Sequence, residues 1–263
     1  MNIITRAIPS DWKDLQQQVA QILEECGLET YVGRTIETVR GTVEIDVYAE
    51  DEEQKPAVTY LCECKRWKSS IPKTIVHSFR TVVNDYGANF GFIICSKNFQ
   101  RGAYEAAEKS NVRLLTWIEF QELFVERWIN TYMLPRIYRE ADPLIEYTEP
   151  INSRIFRKAD ALEKEKQERF IQLREQYQVL AYFALHISIQ SSLVASFITA
   201  PIIRNPIPEL PIRKGMSAKN YKVKGGLPID LIKADSLKDF LVILSKHIQE
   251  GVSSFDEVFC ERA

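Results

Sequence analysis

Apolar side chains recur at helical spacing over residues 11–27. Leu15, Val19, Ile22 and Leu23 line one face with Trp12 ahead of them, Asp11 can cap the start, and Gly27 can end it. The pattern then shifts to alternation. Residues 31–36 predict a short strand, and Gly41 marks the turn into a second over residues 42–49. There Val43, Ile45, Val47 and Ala49 should share one face and Glu44, Asp46 and Tyr48 the other. Residues 51–55 read as a polar hairpin loop closed by Pro56, and residues 60–65 as a third strand. Helical period returns over residues 71–86, with Pro72 in the first turn and Gly87 at the end. Residues 91–95 are continuously apolar, as in a strand covered on both faces. A short helix (100–110), a strand (112–116) and a helix (119–128) follow. The order α-β-β-β-α-β-α-β-α predicts an α/β fold: a mixed sheet flanked by helices, with its antiparallel part first.

Beyond this the pattern changes. Residues 128–151 carry mixed charge punctuated by Pro135, Pro143 and Pro150, and read as a linker between a domain of residues 1–127 and a mainly helical one of residues 152–263. In the latter, Ile155, Ala159, Leu162, Phe170, Leu173, Tyr177, Leu180, Ala184 and Ile187 keep three- and four-residue steps, interrupted at Lys166. That is heptad-like spacing and predicts a long helix. Residues 176–203 hold no Asp, Glu, Lys or Arg. A membrane span needs roughly 20 apolar residues. His186, Gln190, Ser191 and Ser192 interrupt this stretch, which favours a buried helical hairpin or helix-pairing surface. Pro201, Pro206, Pro208 and Pro211 predict an extended crossing, and residues 213–228 a basic loop that is either solvated or a nucleic-acid contact. Ser236 caps a last helix with Asp239 closing the box; Leu237, Phe240, Leu241, Leu244 and Ile248 form its apolar face.

A formal net charge of -2 over 263 residues excludes a globally basic binder, though not a local basic groove. The five cysteines (26, 62, 64, 95 and 260) form no CxxC pair, which argues for reduced thiols and a cytoplasmic protein. Residues 1–10 lack the apolar core of a signal peptide. No GxxxxGK[ST] phosphate loop is present, so no nucleotide cofactor is expected.

The candidate chemistry lies on the second and third strands. Leu61, Glu63 and Lys65 share a face, and if the strands pair, Asp46 can lie beside Glu63 and Lys65. Two carboxylates supply the oxygen ligands that Mg²⁺ prefers, with Mn²⁺ as the alternative, and Lys65 could orient a water against a phosphodiester. The competing reading is two strand edges with a surface salt bridge. Glu44 is an extra ligand or a solvated side chain. Arg66, Trp67, Lys68 and Lys73 crowd the end of the third strand, where basic groups with an aromatic suit nucleic acid, although Trp67 equally suits packing. His77 and Arg80, one helical turn apart, either face phosphates or form a solvated helix face. No base is placed to make Cys62 or Cys64 a nucleophile.

Element order, Val-Glu-Ile-Asp46 and Glu63-Cys-Lys65 together resemble the PD-(D/E)xK nuclease superfamily, and most closely the Mrr-like restriction endonucleases. The likeness covers residues 11–127 and includes the apolar strand and turn Gly91-Phe-Ile-Ile-Cys-Ser-Lys-Asn-Phe99. It implies a restriction-endonuclease-like αβββαβ core and metal-dependent hydrolysis of DNA in restriction or antiphage defence. Asp46 and Glu63 would hold the metal and Lys65 would assist the attacking water. Many relatives carry a glutamate on the first helix; here the nearest candidate is Gln16, expected as an auxiliary polar group. Cutting both strands favours a homodimer. The alternatives are a nuclease fold that binds DNA or serves as a scaffold without catalysis, and a membrane-anchored sensor.

Overall fold

The computed structural model describes residues 2–188, 209–212 and 226–260. Two compact units emerge, one spanning Ala7–Tyr132 and the other gathering the N-terminal segment up to Arg6 with the chain from Met133 onward.

In the first unit the five strands lie in sequence order: β1 (Glu29–Thr38), β2 (Gly41–Asp51), β3 (Val58–Lys65), β4 (Phe90–Cys95) and β5 (Val112–Thr116). β1–β2 and β2–β3 are antiparallel hairpin pairs, whereas β3–β4 and β4–β5 are parallel. The parallel pairs need helical crossovers, supplied by α2 (Lys73–Tyr86) and α3 (Arg101–Ala107). α1 (Trp12–Glu25) precedes the sheet and α4 (Trp117–Trp128) follows it. The αβββαβ order and the mixed sheet match the expectation from periodicity. Local signals explain why. Asp11 accepts from the Asp14 amide at the start of α1, Gly87 ends α2 in the left-handed region, and Thr116 and Glu119 form a reciprocal capping box at α4.

The sheet buries both faces. Leu61 and Ile93 pack on one side with Val76, Phe79 and Val83 of α2 and Ala103 and Ala106 of α3. On the other, Tyr60, Phe90 and Phe92 meet Phe124 of α4 through a ring cluster that continues to Phe120 and Trp117. At one point strict alternation fails. Ile45 and Tyr48, three residues apart, belong to the same cluster on the α2 side. On the facing strand Arg34 stacks its guanidinium over both Tyr31 and Tyr48. Between these pairs lies Gly33, at φ 66°, and the ladder omits the Gly33–Asp46 pair. The expectation that Asp46 shares a face with Tyr48 is therefore corrected. A left-handed glycine opposite Asp46 breaks the pleat, as a bulge does, and re-aims the acidic side chain.

The second unit is helical where described: α5 (Leu134–Thr148), α6 (Ser153–Asp160), α7 (Lys164–Ser188), α8 (Ile229–Lys233) and α9 (Leu237–Phe259). A π-helical turn, Ile129–Met133, joins α4 to α5. Residues 128–151, expected as a linker, are thus mostly helix. Leu134, Ile137, Ala141, Leu144 and Tyr147 of α5 are buried, and Pro135 sits in its first turn, where the missing amide costs little. The long helix expected from residue 152 is broken between α6 and α7, although Ile155, Ala159, Phe170, Leu173, Leu180, Ala184 and Ile187 are all buried. Ser236 caps α9 and accepts from the Asp239 amide, and the five predicted apolar positions of that helix are buried. Among the described residues no helix is long and apolar enough to cross a membrane. Residues 189–208 and 213–225, which carry much of the apolar stretch, the prolines before Pro211 and the basic loop, lie outside the described residues.

Candidate active site

The site forms where β2 and β3 part. Their ladder ends at Val47 and Cys62, and just beyond it the Asp46 carboxylate takes over as acceptor. Its Oδ2 receives the Cys64 backbone amide at 2.7 Å, and its Oδ1 receives the side-chain amide of Gln16 from α1, also at 2.7 Å. Asp46 is thereby pinned to the backbone of the residue between Glu63 and Lys65. Gln16 is only 7% exposed, so its amide is committed to this contact.

Lys65 Nζ forms an ion pair with Glu63 Oε1, and both side chains are mostly buried. Burial raises the Glu63 pKa above the ordinary carboxylate value, the Lys65 bond opposes this, and the nearby charge of Asp46 raises it again. The direction is upward, with burial the leading cause and the Asp46 charge a smaller one. Among the described residues each Asp46 oxygen accepts one hydrogen bond, and each has a second lone pair. Carboxylate oxygens of this kind fit a hard divalent cation such as Mg²⁺ or Mn²⁺.

The predicted residues thus form two pairs, Gln16 with Asp46 and Glu63 with Lys65, linked through the Cys64 amide and through the Asp46 charge felt at Glu63. Arg66 follows on the loop and donates Nε to the Pro9 carbonyl at 2.8 Å. Trp67 is 39% exposed and Lys68 is exposed beside it. Lys73 opens α2 and is exposed, as is His77 one turn later. Arg80 is placed differently. Its Nη1 donates to the Ala106 carbonyl of α3 at 2.7 Å and its Nε is buried, so it ties α2 to α3 rather than facing solvent. Glu44 is exposed, as a solvated side chain should be. Cys62 and Cys64 are buried and free, and burial pushes both thiols well up, so neither is a thiolate nucleophile.

Three contributors escaped the sequence reading. The Cys64 amide belongs to the backbone and leaves no trace in residue type. Gly33 could have been suspected, because an isolated glycine in a strand pattern signals a bulge. Ser96 follows β4: its amide donates to the Lys65 carbonyl at 3.3 Å, and its buried hydroxyl has no partner among the described residues.

Residues 9–124 match the model of a family described as restriction endonuclease, Mrr_cat. This stretch is similar to the Mrr-like restriction endonucleases. The match contains Gln16, Asp46, Glu63 and Lys65 and ends within α4. No curated protein matches the chain. Among solved structures, a protein of unknown function, AF1548, aligns over 63% of this chain and 97% of its own length, at 20% identity and a TM-score of 0.38. The stretch that matches the family model lies within the sheet-containing unit.

Proposed function

We propose that this protein is a metal-dependent endodeoxyribonuclease in which Asp46 and Glu63 hold Mg²⁺ and Lys65 assists the attacking water. The observation that carries the reading is the pinning of Asp46 to the Cys64 amide, between Glu63 and Lys65. When bound, the cation supplies Lewis acidity at the phosphate and makes a nearby water more acidic. The protein's own groups do the rest. Gln16 and the Cys64 amide fix Asp46 in one orientation, so little rearrangement is needed on metal binding. Glu63 completes the anionic pair and keeps Lys65 close. The Lys65 ammonium has three donors, of which Glu63 engages one, leaving others for the nucleophile or a phosphoryl oxygen. A role in restriction or antiphage defence, and assembly as a homodimer that cuts both strands, follow from the family likeness and complete the proposal.

The second reading is a nuclease fold that binds DNA without cutting it. It is favoured by one feature: where relatives carry a glutamate, Gln16 brings no charge. Plasmid cleavage separates the two. Wild-type protein should nick or linearise plasmid with Mg²⁺ and not with EDTA, and Lys65→Ala should lose about 10²-fold or more in rate while staying folded. Binding without cleavage under Mg²⁺ or Mn²⁺, or undiminished cleavage by Lys65→Ala, overturns the catalytic reading.

A further inference from the structure

β3 and β4 are parallel neighbours, with Lys65 paired to Cys95, so the chain leaves both strands at the same edge of the sheet. The loops that follow are fastened together at their far ends. Ile71 donates its amide to Asn98 O and accepts from the Gln100 amide, both at 3.0 Å, and Ile71 and Phe99 are buried. What lies between the strand ends and this clasp is a rim formed by residues 66–70 and 96–98, beside Glu63 and Lys65. It contains Arg66, Lys68 and Lys97 and no Asp or Glu. On a chain whose net charge is -2, that is a local concentration of positive charge.

The rim also exposes an indole. Trp67 is 39% exposed and has no aromatic partner among the described residues. Trp67 thus keeps part of its ring accessible on a rim that also carries the exposed Lys68 and Lys97. Lysines alone suit any phosphate backbone. The ring adds a requirement, because in a regular duplex the base faces are stacked on one another and unavailable to it. Aromatic platforms among cations are the means by which unpaired bases are held.

We infer that Trp67 stacks on an unpaired base next to the scissile phosphate, with Lys68 and Lys97 on the flanking phosphates, so that the strand held at the cut is locally unpaired. This rests on the nuclease reading and names its substrate class. Binding is measured in EDTA by fluorescence anisotropy, using the full chain and three labelled probes: a single-stranded 20-mer, the same strand carrying several abasic positions, and the corresponding duplex. Wild type binds the base-bearing single strand about tenfold more tightly than the abasic strand, the scale of one stacked base. Trp67→Ala removes that difference, and Trp67→Phe retains most of it. Circular dichroism confirms that both variants fold. Equal affinity of wild type for base-bearing and abasic strands, or a Trp67→Ala loss of the same size on both, overturns the inference. If wild type still cleaves plasmid with Mg²⁺ in that case, the nuclease reading stands without it. A protein that neither binds nor cleaves any DNA removes both.

Discussion

Gln16 donates its side-chain amide to Asp46 Oδ1 at 2.7 Å. A carboxylate only accepts, so the amide nitrogen must be the atom that faces it. A glutamate at this position would set two acceptors against each other. The conflict is resolved either by a proton or by a cation between them. Gln16→Glu should therefore lower the melting temperature in EDTA by a few degrees and bind Mg²⁺ more tightly, with most of the lost stability returning on metal addition. Gln16→Ala should lose the hydrogen bond without gaining metal affinity. Melting curves and calorimetric Mg²⁺ titrations check this. A Gln16→Glu protein as stable in EDTA as wild type would show that the amide does not hold Asp46.

Glu63 has a pKa raised by burial and by Asp46. A cation must displace the proton, so Mg²⁺ affinity and cleavage should decline on the acid side at a pH above the ordinary glutamate range of about 4.3. Raising Mg²⁺ should move that acid limb to lower pH. Stability runs the other way. The folded protein takes up the Glu63 proton at a higher pH than the unfolded chain, so this residue's contribution to metal-free stability grows as pH falls through the raised pKa. Glu63→Gln should abolish cleavage yet melt no lower than wild type in EDTA at neutral pH. A cleavage profile that ignores Mg²⁺ concentration, or a marked loss of stability in Glu63→Gln, would count against this account.

Gly33 stands at φ 66° opposite Asp46, where the β1–β2 ladder skips a pair. A Cβ there would meet Glu44 Oε1 at 3.4 Å, an ordinary contact, so the penalty of Gly33→Ala is conformational rather than steric. That penalty is about 1–2 kcal/mol. Gly41, at φ 124° in the hairpin turn, provides the comparison. Both alanine variants should lose stability, but Gly33→Ala should lose the larger share of cleavage rate because it resets the strand that aims Asp46. Equal kcat in the two variants would separate the bulge from the site.

The order of the elements was legible because each periodicity and cap is a local signal: Asp11 before α1, Gly87 after α2, alternation in β3. Asp46, Glu63 and Lys65 were legible for the same reason, as short strand motifs. What failed to show depends on partners far along the chain. The face of Asp46 is decided by Gly33 on another strand, and its anchor is the Cys64 amide, which any residue but proline would supply. Arg80 read as a surface cation because helical spacing does not reveal that α3 offers it the Ala106 carbonyl. Pro135 read as a linker residue, since a proline at a helix start and one in a loop look alike in sequence. The a/d-like stripe through Ile155 and Phe170 runs across the break between α6 and α7, because both helices bury the same kind of face.

Asp51 shows how the sheet-containing unit holds its far end. Its side chain is 1% exposed and pairs with Nη1 of Arg127, whose Nε donates to the Cys26 carbonyl at 2.7 Å. One guanidinium thus joins the end of β2, the residue after α1 and the last turn of α4. Arg127 holds the Asp51 carboxyl below the usual carboxylate range, with its hydrogen bond the leading cause. A depressed folded pKa contributes stability that is present above the unfolded value and disappears as pH falls through the folded one. Arg127→Met leaves a buried carboxylate uncompensated and should destabilise the protein by about 3 kcal/mol, the lower end for a broken buried pair because Arg127 is itself about a quarter exposed. Asp51→Asn with Arg127→Met removes both charges and should recover part of that loss. Urea unfolding of the two single variants and the double variant at pH 7 measures the coupling. The deficit of Arg127→Met should shrink as pH falls, beginning above the ordinary Asp value of about 4, because burial without the guanidinium raises the Asp51 pKa. A constant deficit across that range would mean that the packing of Arg127, rather than its charge, holds the three elements together.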